Sequence, residues 1–476
     1  MTSTSTPATG PVPVDAAAAD TGELMWTPAW RIRELIEARE ISPLEVTEHF
    51  LARIEALDPV LHTFRSLDAD GARAQARRAT EAVTRGDDLG PLHGIPVSVK
   101  EHIGVAGLPV WGIGDLPGSR VAAEDAILVE RLRRAGAVIV GTTIMPGVGI
   151  DPAMPDLAGH PRNPWDTTRV PGTSTAGGAA SVAAGMIPVT IGSDGAGSTR
   201  LPAALSGIVG LHSSEGRIPS VDFDSPTVTQ GGSYGPLTRD VRDTALVMQT
   251  LAGPDGRDPF AIRTPAPDYL AGLADGVEGL RFAWTDDFGF AAQHAQPGTP
   301  EIITAVRDST RRFTDLGAQV EQTEESWEDY WPAFKAMTSA YGPPLTVLAF
   351  GASHTPASLK AGHELYGRNW DRFERVFASH DLLLSPTLQF TAPTVTEWDT
   401  HFKRTEYRHH PTAAYTADTH LFNIYGYPAV SVPCGTVGGL PIALQIIGKP
   451  DREALVVRAA YAFLDGRPVA APLRFA

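Results

Sequence analysis

The sequence predicts an α/β protein in which helices cover both faces of one large, twisted, mixed and mostly parallel sheet. Three observations support this. Helical and strand patterns alternate between residues 43 and 251. The strand patterns are short and almost wholly apolar, as strands buried on both faces read. Strand patterns return near residues 383, 429 and 443, then give way to a C-terminal helix, with no internal repeat and no convincing linker before residue 255. The chain therefore reads as a disordered arm at 1–22 followed by one large domain at 23–476.

The elements follow in order. The first 20 residues are mostly Thr, Ser, Ala, Pro and Gly, without the basic start or apolar stretch of a secretory leader. Ser42-Pro43-Leu44-Glu45 is a capping box with proline at the first helical position, and Leu44, Thr47, Leu51, Ile54 and Leu57 recur at helical spacing behind it. An Ala/Arg-rich helix is expected at 68–85. A buried strand at Ile95–Val99 ends at Lys100. Residues 124–135 read as a helix, 137–140 as a strand, 179–184 as a helix, 188–191 as a strand and 238–251 as a capped helix. The division is thus a helical part at 23–95, a core at 96–254, a variable region at 255–416 that would line a substrate pocket, and a return to the core at 417–476.

Composition excludes several functions. Lys and Arg number 39 against 55 Asp and Glu, a net charge of −16. A nucleic-acid binder needs basic surface for phosphates, so none is expected as a partner. No apolar run reaches the ~18 residues of a membrane span. The single cysteine, Cys434, allows no internal disulfide and is compatible with a reducing, cytoplasmic setting. His409-His410 has no matched ligand pair, so neither a metal nor a cofactor is expected.

The chemistry concentrates between residues 163 and 219. Two stretches of small residues each carry one serine: Pro-Gly-Thr-Ser-Thr-Ala-Gly-Gly around Ser174, and Gly-Ser-Asp-Gly-Ala-Gly-Ser-Thr-Arg around Ser198. Small residues let backbone N–H groups converge on one point, as an oxyanion hole requires. By composition alone they read equally as tight loops.

These segments resemble the amidase signature family, defined by a Gly/Ser-rich run followed by Asp-x-Gly-Gly-Ser-x-Arg. The likeness extends to Gly94–Glu101, to Glu124–Gly141, to Gly235–Arg239 and to Pro428–Gly448. Ser174 stands 74 residues after Lys100 and Ser198 stands 24 after Ser174, as in the family. The resemblance implies the family's single α/β/α domain and a hydrolase that cuts C–N acyl bonds of amides, or related carbamates or esters. It implies Ser198 as nucleophile, Ser174 as bridging serine after a cis peptide bond, and Lys100 as base. Backbone N–H groups of Gly195, Ala196, Gly197 and Ser198 would hold the oxyanion. Asp194, Arg200 and Thr173 would support the site.

The sequence departs from the family pattern in places. Thr173 replaces a common glycine. Ala196 replaces the first glycine of Gly-Gly, which demands a negative φ or strain there. Thr142–Gly147 replaces Lys-Thr-Asn-Met and its acidic follower, and His212-Ser213-Ser214 replaces Lys-Pro-Thr. The mouth of the site, with Ile144, Met145 and Gly147, thereby loses polar groups. Trp327, Tyr330, Trp331 and Phe334 are spaced to share one helix face. Such stripes usually fill a core; lining a pocket, Trp327 and Trp331 would favour apolar or aryl-bearing substrates, as in an aryl acylamidase or a urethane-cleaving carbamate hydrolase. The partner is then a small-molecule amide or carbamate, and a homodimer is compatible.

Two other enzymes compete. Gly231-Gly232-Ser233-Tyr234-Gly235 fits the Gly-x-Ser-x-Gly of an α/β-hydrolase esterase, but Pro236 follows where a helix should start, so Ser233 reads as a turn. A glutamine-type amidotransferase subunit supplying ammonia would share the triad; the altered 142–147 and 212–214 segments weigh against it.

Overall fold

The structure, a computed structural model, describes residues 21–110, 120–146, 159–219, 232–296, 298–341, 354–402, 415–469 and 472. Residues 1–20, Gly147 and His409-His410 lie outside them. Thr21–Trp26 form a 3-10 helix, which includes the last two residues of the arm expected at 1–22.

Local signals place the early elements. Ser42 accepts from the Glu45 N–H and Glu45 returns a bond to the Ser42 N–H, opening the helix Pro43–Leu61. Asp68 caps the helix Ala69–Arg85, and Gly86 ends it in the left-handed conformation that glycine tolerates.

Thirteen strands are described: β1 (Phe64–Leu67), β2 (Pro96–Lys100), β3 (Pro109–Val110), β4 (Arg120–Val121), β5 (Val138–Thr143), β6 (Val189–Asp194), β7 (Val209–His212), β8 (Ser233–Thr238), β9 (Arg281–Trp284), β10 (Gln319–Gln322), β11 (Leu382–Pro386), β12 (Ala429–Val437) and β13 (Leu440–Ile447). Strands β3 and β4 form a small ribbon; the other 11 make one mixed sheet in the order β1-β5-β2-β6-β8-β7-β12-β13-β11-β9-β10. Parallel pairing joins β5, β2 and β6 toward one edge and β11, β9 and β10 at the other. Antiparallel pairs run between them from β6 through β8, β7, β12 and β13 to β11, and β1 adds antiparallel to β5.

Alternate residues of one strand feed opposite layers. Ile139 packs with Val97, Val99 and the helices Ile127–Arg134 and Val241–Leu251, whereas Val138 and Val140 pack with Ile54, Ala72, Ala76, Ala179 and Val182. Both faces are covered, which explains why the strands read as unbroken apolar runs.

Two expectations change. Ser233 is not in a turn: it opens β8, which runs antiparallel to β6 and buries Ser233 through Thr238. The helix expected from Thr238 begins at Val241, capped by the Asp240 side chain, because Thr238 is still hydrogen-bonded in the sheet. The region 255–416 supplies three sheet strands, β9, β10 and β11.

Candidate active site

The site forms at the carboxyl ends of the parallel strands β5, β2 and β6, where open α/β sheets expose backbone and side chains to a ligand. Lys100 is the last residue of β2 and is 1 % exposed. Its Nζ lies 2.5 Å from Ser174 Oγ, 3.0 Å from Ser193 Oγ and 3.2 Å from the Ser193 carbonyl oxygen. Burial brings the Lys100 ammonium down from 10.5 to about 7, with the charges of Asp194 and Glu101 pulling the other way. Near neutral pH the amine therefore exists in both forms.

Ser174 sits at the turn before the helix Ala176–Ala183, half-buried. Its N–H donates to the Pro146 carbonyl at 3.1 Å, and the preceding Thr173 N–H donates to Tyr415 Oη at 2.9 Å. The Thr173–Ser174 peptide is trans, not cis as the resemblance implies; the sharp bend is carried by Ser174 itself, at φ 64°.

Ser198 lies on the turn after β6, half-buried and close in sequence to the exposed Gly195. The structure brings Lys100 and Ser174 into contact; among the described residues the Ser198 hydroxyl makes no hydrogen bond. The turn is shaped by Asp194. Its carboxylate accepts from the Gly197 N–H (2.6 Å), from the Thr199 N–H and hydroxyl (3.1 and 2.7 Å), and bidentately from Arg200 (3.0 Å each). Burial pushes the Asp194 carboxyl up, but Arg200, His212 and Asn423 outweigh it and hold the group well below its usual range. Asp194 and Arg200 are both 0 % exposed, so the pair shapes the loop from beneath.

One expected oxyanion donor is corrected. The Gly197 N–H donates to the Asp194 carboxylate and is not open to a ligand. Ala196 does not enter the positive-φ region; Gly197, at φ 126°, carries that conformation, so alanine at 196 needs no strain.

Ile144 and Met145, expected at the mouth, follow β5. Ile144 is 7 % exposed, with its N–H bonded to the Thr63 carbonyl and its carbonyl accepting from Gly177. The Met145 N–H donates to the buried Glu101 carboxylate, which also pairs with Arg65. Trp327 is a core residue: it is 2 % exposed, with ring centroids 4.9 Å from Phe373 and 5.5 Å from Phe288. The helix begins only at Trp331, so Trp327 and Tyr330 do not share its face. Trp331 packs edge-on to His420 at 5.9 Å and over Phe334 at 5.2 Å.

Ser193, Thr419 and Asn423 were not legible as site residues. Thr419 Oγ1 donates to the Ala196 carbonyl at 2.6 Å, and Asn423 Nδ2 donates to the Asp194 carbonyl and carboxylate at 2.8 and 2.9 Å. Ser193 had a signal, a hydroxyl at the end of a strand beside Asp194; Thr419 and Asn423, more than 200 residues away in sequence, had none. The esterase motif is not assembled: Ser233 is 5 % exposed inside a strand and no helix follows it directly. Among the described residues no group of three or more His, Cys, Asp or Glu could hold a metal, and no helix is long and apolar enough to cross a membrane.

The family model described as Amidase matches residues 45–343 and 347–457. A glutamyl-tRNA(Gln) amidotransferase subunit of Moorella thermoacetica is 32 % identical, over 93 % of this chain and 96 % of that protein. An acylamidase of Rhodococcus erythropolis is 31 % identical, over 94 % of this chain and 96 % of that protein. A crystal structure of a bacterial aryl acylamidase of the amidase signature enzymes superposes with a TM-score of 0.80 at 29 % identity, over 93 % of this chain and 96 % of that one. A lysine at a strand end bonded to a serine at the turn before a helix, a model matched along most of the chain and relatives aligned over nearly all of it lead to one conclusion: this chain belongs to the amidase family, the amidase signature enzymes, and acts on C–N bonds other than peptide bonds.

Proposed function

We propose that the chain hydrolyses apolar, aryl-bearing amides or carbamates through an acyl-enzyme on Ser198, with Ser174 relaying the proton and Lys100 as base. The contact of Lys100 Nζ with Ser174 Oγ, in a site that keeps the amine partly neutral at pH 7, carries this reading. A serine attacks only when a base takes its proton, and a lysine can do so only when neutral. Ser198 gives its proton to Ser174 as Ser174 gives its own to Lys100. The Ser198 oxygen bonds to the acyl carbon, and the amides of Gly195 and Ala196 receive the oxyanion. The relay then reverses, protonates the departing amine, and a water releases the acid.

The aryl preference is supported by the apolar mouth residues Ile144 and Met145 and by Trp331, whose neighbour His420 directly follows the Thr419 that holds the nucleophile turn. A primary amide in an apolar pocket leaves N–H groups unpaired, at about 1–3 kcal/mol. The acylamidase relatives agree with this reading; the amidotransferase relatives make glutamine the necessary control.

The test has three parts. A phosphonofluoridate should leave its adduct on Ser198. Lys100→Ala should lower acylation by roughly 10²–10⁴-fold and abolish an acid limb near pH 7. An anilide or aryl carbamate should exceed glutamine in kcat/KM. An adduct on Ser233, or near-normal turnover by Lys100→Ala, overturns the mechanism. Faster glutamine turnover overturns the substrate class and favours an ammonia-supplying subunit.

A further inference from the structure

The loops that carry Ser174 and Ser198 are both held by one short stretch of chain, more than 200 residues further along. Tyr415 Oη accepts from the Thr173 N–H at 2.9 Å, one residue before Ser174. Thr419 Oγ1 donates to the Ala196 carbonyl at 2.6 Å, two residues before Ser198, and the Thr419 carbonyl accepts from Arg200 Nη1 at 3.0 Å. Tyr415 and Thr419 stand four residues apart on one tight turn, in which the Thr419 N–H donates to the Thr416 carbonyl at 2.9 Å. One side chain of that turn reaches the Ser174 loop and the other the Ser198 turn.

Packing fixes Tyr415 in place. It is 1 % exposed, with its ring edge-on to Trp398 at 5.0 Å and tilted against Phe390 at 5.9 Å. The same cluster holds Leu201 and Leu205, from the helix Arg200–Ser206 that follows Ser198. The hydroxyl reaches the backbone because residue 172 is glycine. A Cβ there would stand 2.8 Å from Tyr415 Oη and 3.0 Å from the Pro202 Cα, at a φ of 113°. Burial pushes the phenol up to about 12, against the bonds from Thr173, so a neutral hydroxyl faces the loop. Thr173 is itself buried, and its N–H without an acceptor would be an unsatisfied donor out of reach of water.

The two peptide units that flank Thr173 are each held by one bond. Tyr415 holds the Gly172–Thr173 unit, and the Pro146 carbonyl holds the Thr173–Ser174 unit through the Ser174 N–H at 3.1 Å. Ser174 sits at φ 64°, a conformation that a residue other than glycine keeps only where its surroundings impose it. Its Oγ lies 2.5 Å from Lys100 Nζ, and rotation of either peptide unit would swing the hydroxyl off the amine. We propose that Tyr415 is a positioning residue for Ser174: its hydroxyl fixes the peptide that aims Ser174 at Lys100, while Thr419, on the same turn, sets the Ser198 loop at the spacing that proton transfer between the two serines needs. Tyr415 touches no reacting atom. The inference rests on Ser174 being the relay.

Tyr415→Phe deletes one oxygen and keeps the ring that packs on Trp398. It should lower kcat for an anilide roughly tenfold, the size of one lost hydrogen bond, with KM little changed. The decisive readout is a double-mutant cycle with Ser174→Ala on the same anilide. If Tyr415 acts through Ser174, adding Tyr415→Phe to Ser174→Ala should cost less than about twofold. A similar loss in both backgrounds overturns the proposal, because damage to the fold or to the Ser198 turn would act without Ser174. An impaired Ser174→Ala beside an unimpaired Tyr415→Phe overturns it and leaves the relay standing. Near-normal turnover by Ser174→Ala overturns the relay and the positioning role together. Should Tyr415→Phe not fold, hydrogen exchange at the Thr173 amide of the unaltered protein decides: protection supports the proposal, and exchange at the rate of an open amide overturns it.

Discussion

Lys100 and Ser193 are bonded twice: the Lys100 amine reaches the Ser193 carbonyl oxygen at 3.2 Å and its hydroxyl at 3.0 Å. A neutral amine has two N–H groups and one lone pair. With both N–H groups spent on Ser193, the lone pair is left for the Ser174 hydroxyl at 2.5 Å. In the proposed mechanism Ser193 thereby aims the base.

Ser193→Ala tests this. The hydroxyl accepts from either form of Lys100, but a bond from a charged donor is worth more, about 1.5–3 kcal/mol against about 1. Its loss penalises the ammonium more. The acid limb of kcat/KM should move below its position near pH 7, while kcat falls roughly tenfold as the amine loses its orientation. A pH–rate profile of the variant checks both; a limb displaced upward would refute the assignment.

Gly197 is the next point of leverage. A Cβ there would stand 2.3 Å from Thr419 Oγ1, at a backbone φ of 126° that side chains rarely adopt. Gly197→Ala should push Thr419 off the Ala196 carbonyl and tilt the turn that presents Ser198. The expected loss in kcat is roughly 10²-fold, the size of losing one oxyanion donor. Circular dichroism should show the fold retained. The neighbouring Ala196→Gly should change activity little, because Ala196 already has an ordinary φ.

Asp194→Asn should be a stability variant before it is a kinetic one. Removing the carboxylate leaves the Arg200 guanidinium buried without its counter-ion, at a cost of about 3–5 kcal/mol. The pH dependence has a definite sign. The folded-state carboxyl ionises well below its unfolded value of 3.8, so its stabilisation is fully present above that value and is lost as pH falls toward the folded-state value. Urea unfolding from pH 7 down to pH 3 should show a shallower acid loss in the variant.

The aromatic residues separate by the same logic. Trp327→Ala should destabilise by about 3–5 kcal/mol, as a cavity among Phe288 and Phe373, with the anilide-to-glutamine ratio of kcat/KM unchanged. Trp331→Ala should change that ratio, by roughly fivefold for about 1 kcal/mol of lost aryl contact. Thermal melts and the substrate pair distinguish the two.

The sequence by itself determined the elements whose causes are local. The Ser42 capping box, the apolar strand ending at Lys100, and the Gly-rich turns around Ser174 and Ser198 all act within a few residues, and they carried the family resemblance with them. Tertiary structure alone decided the rest. Nothing near Ser233 announces a strand, because β8 exists by pairing with β6 and β7. Trp327 matches a helical stripe, yet its burial follows from Phe288 and Phe373, 39 and 46 residues away in the chain. The Gly197 amide is adjacent in sequence to the other expected oxyanion donors, but its N–H donates to the Asp194 carboxylate, which is buried against Arg200 and Asn423. Local patterns report what a residue can do within one turn or one strand. Which buried charge or ring it meets is set by long-range packing, where an unpaired polar group costs more than any local preference provides.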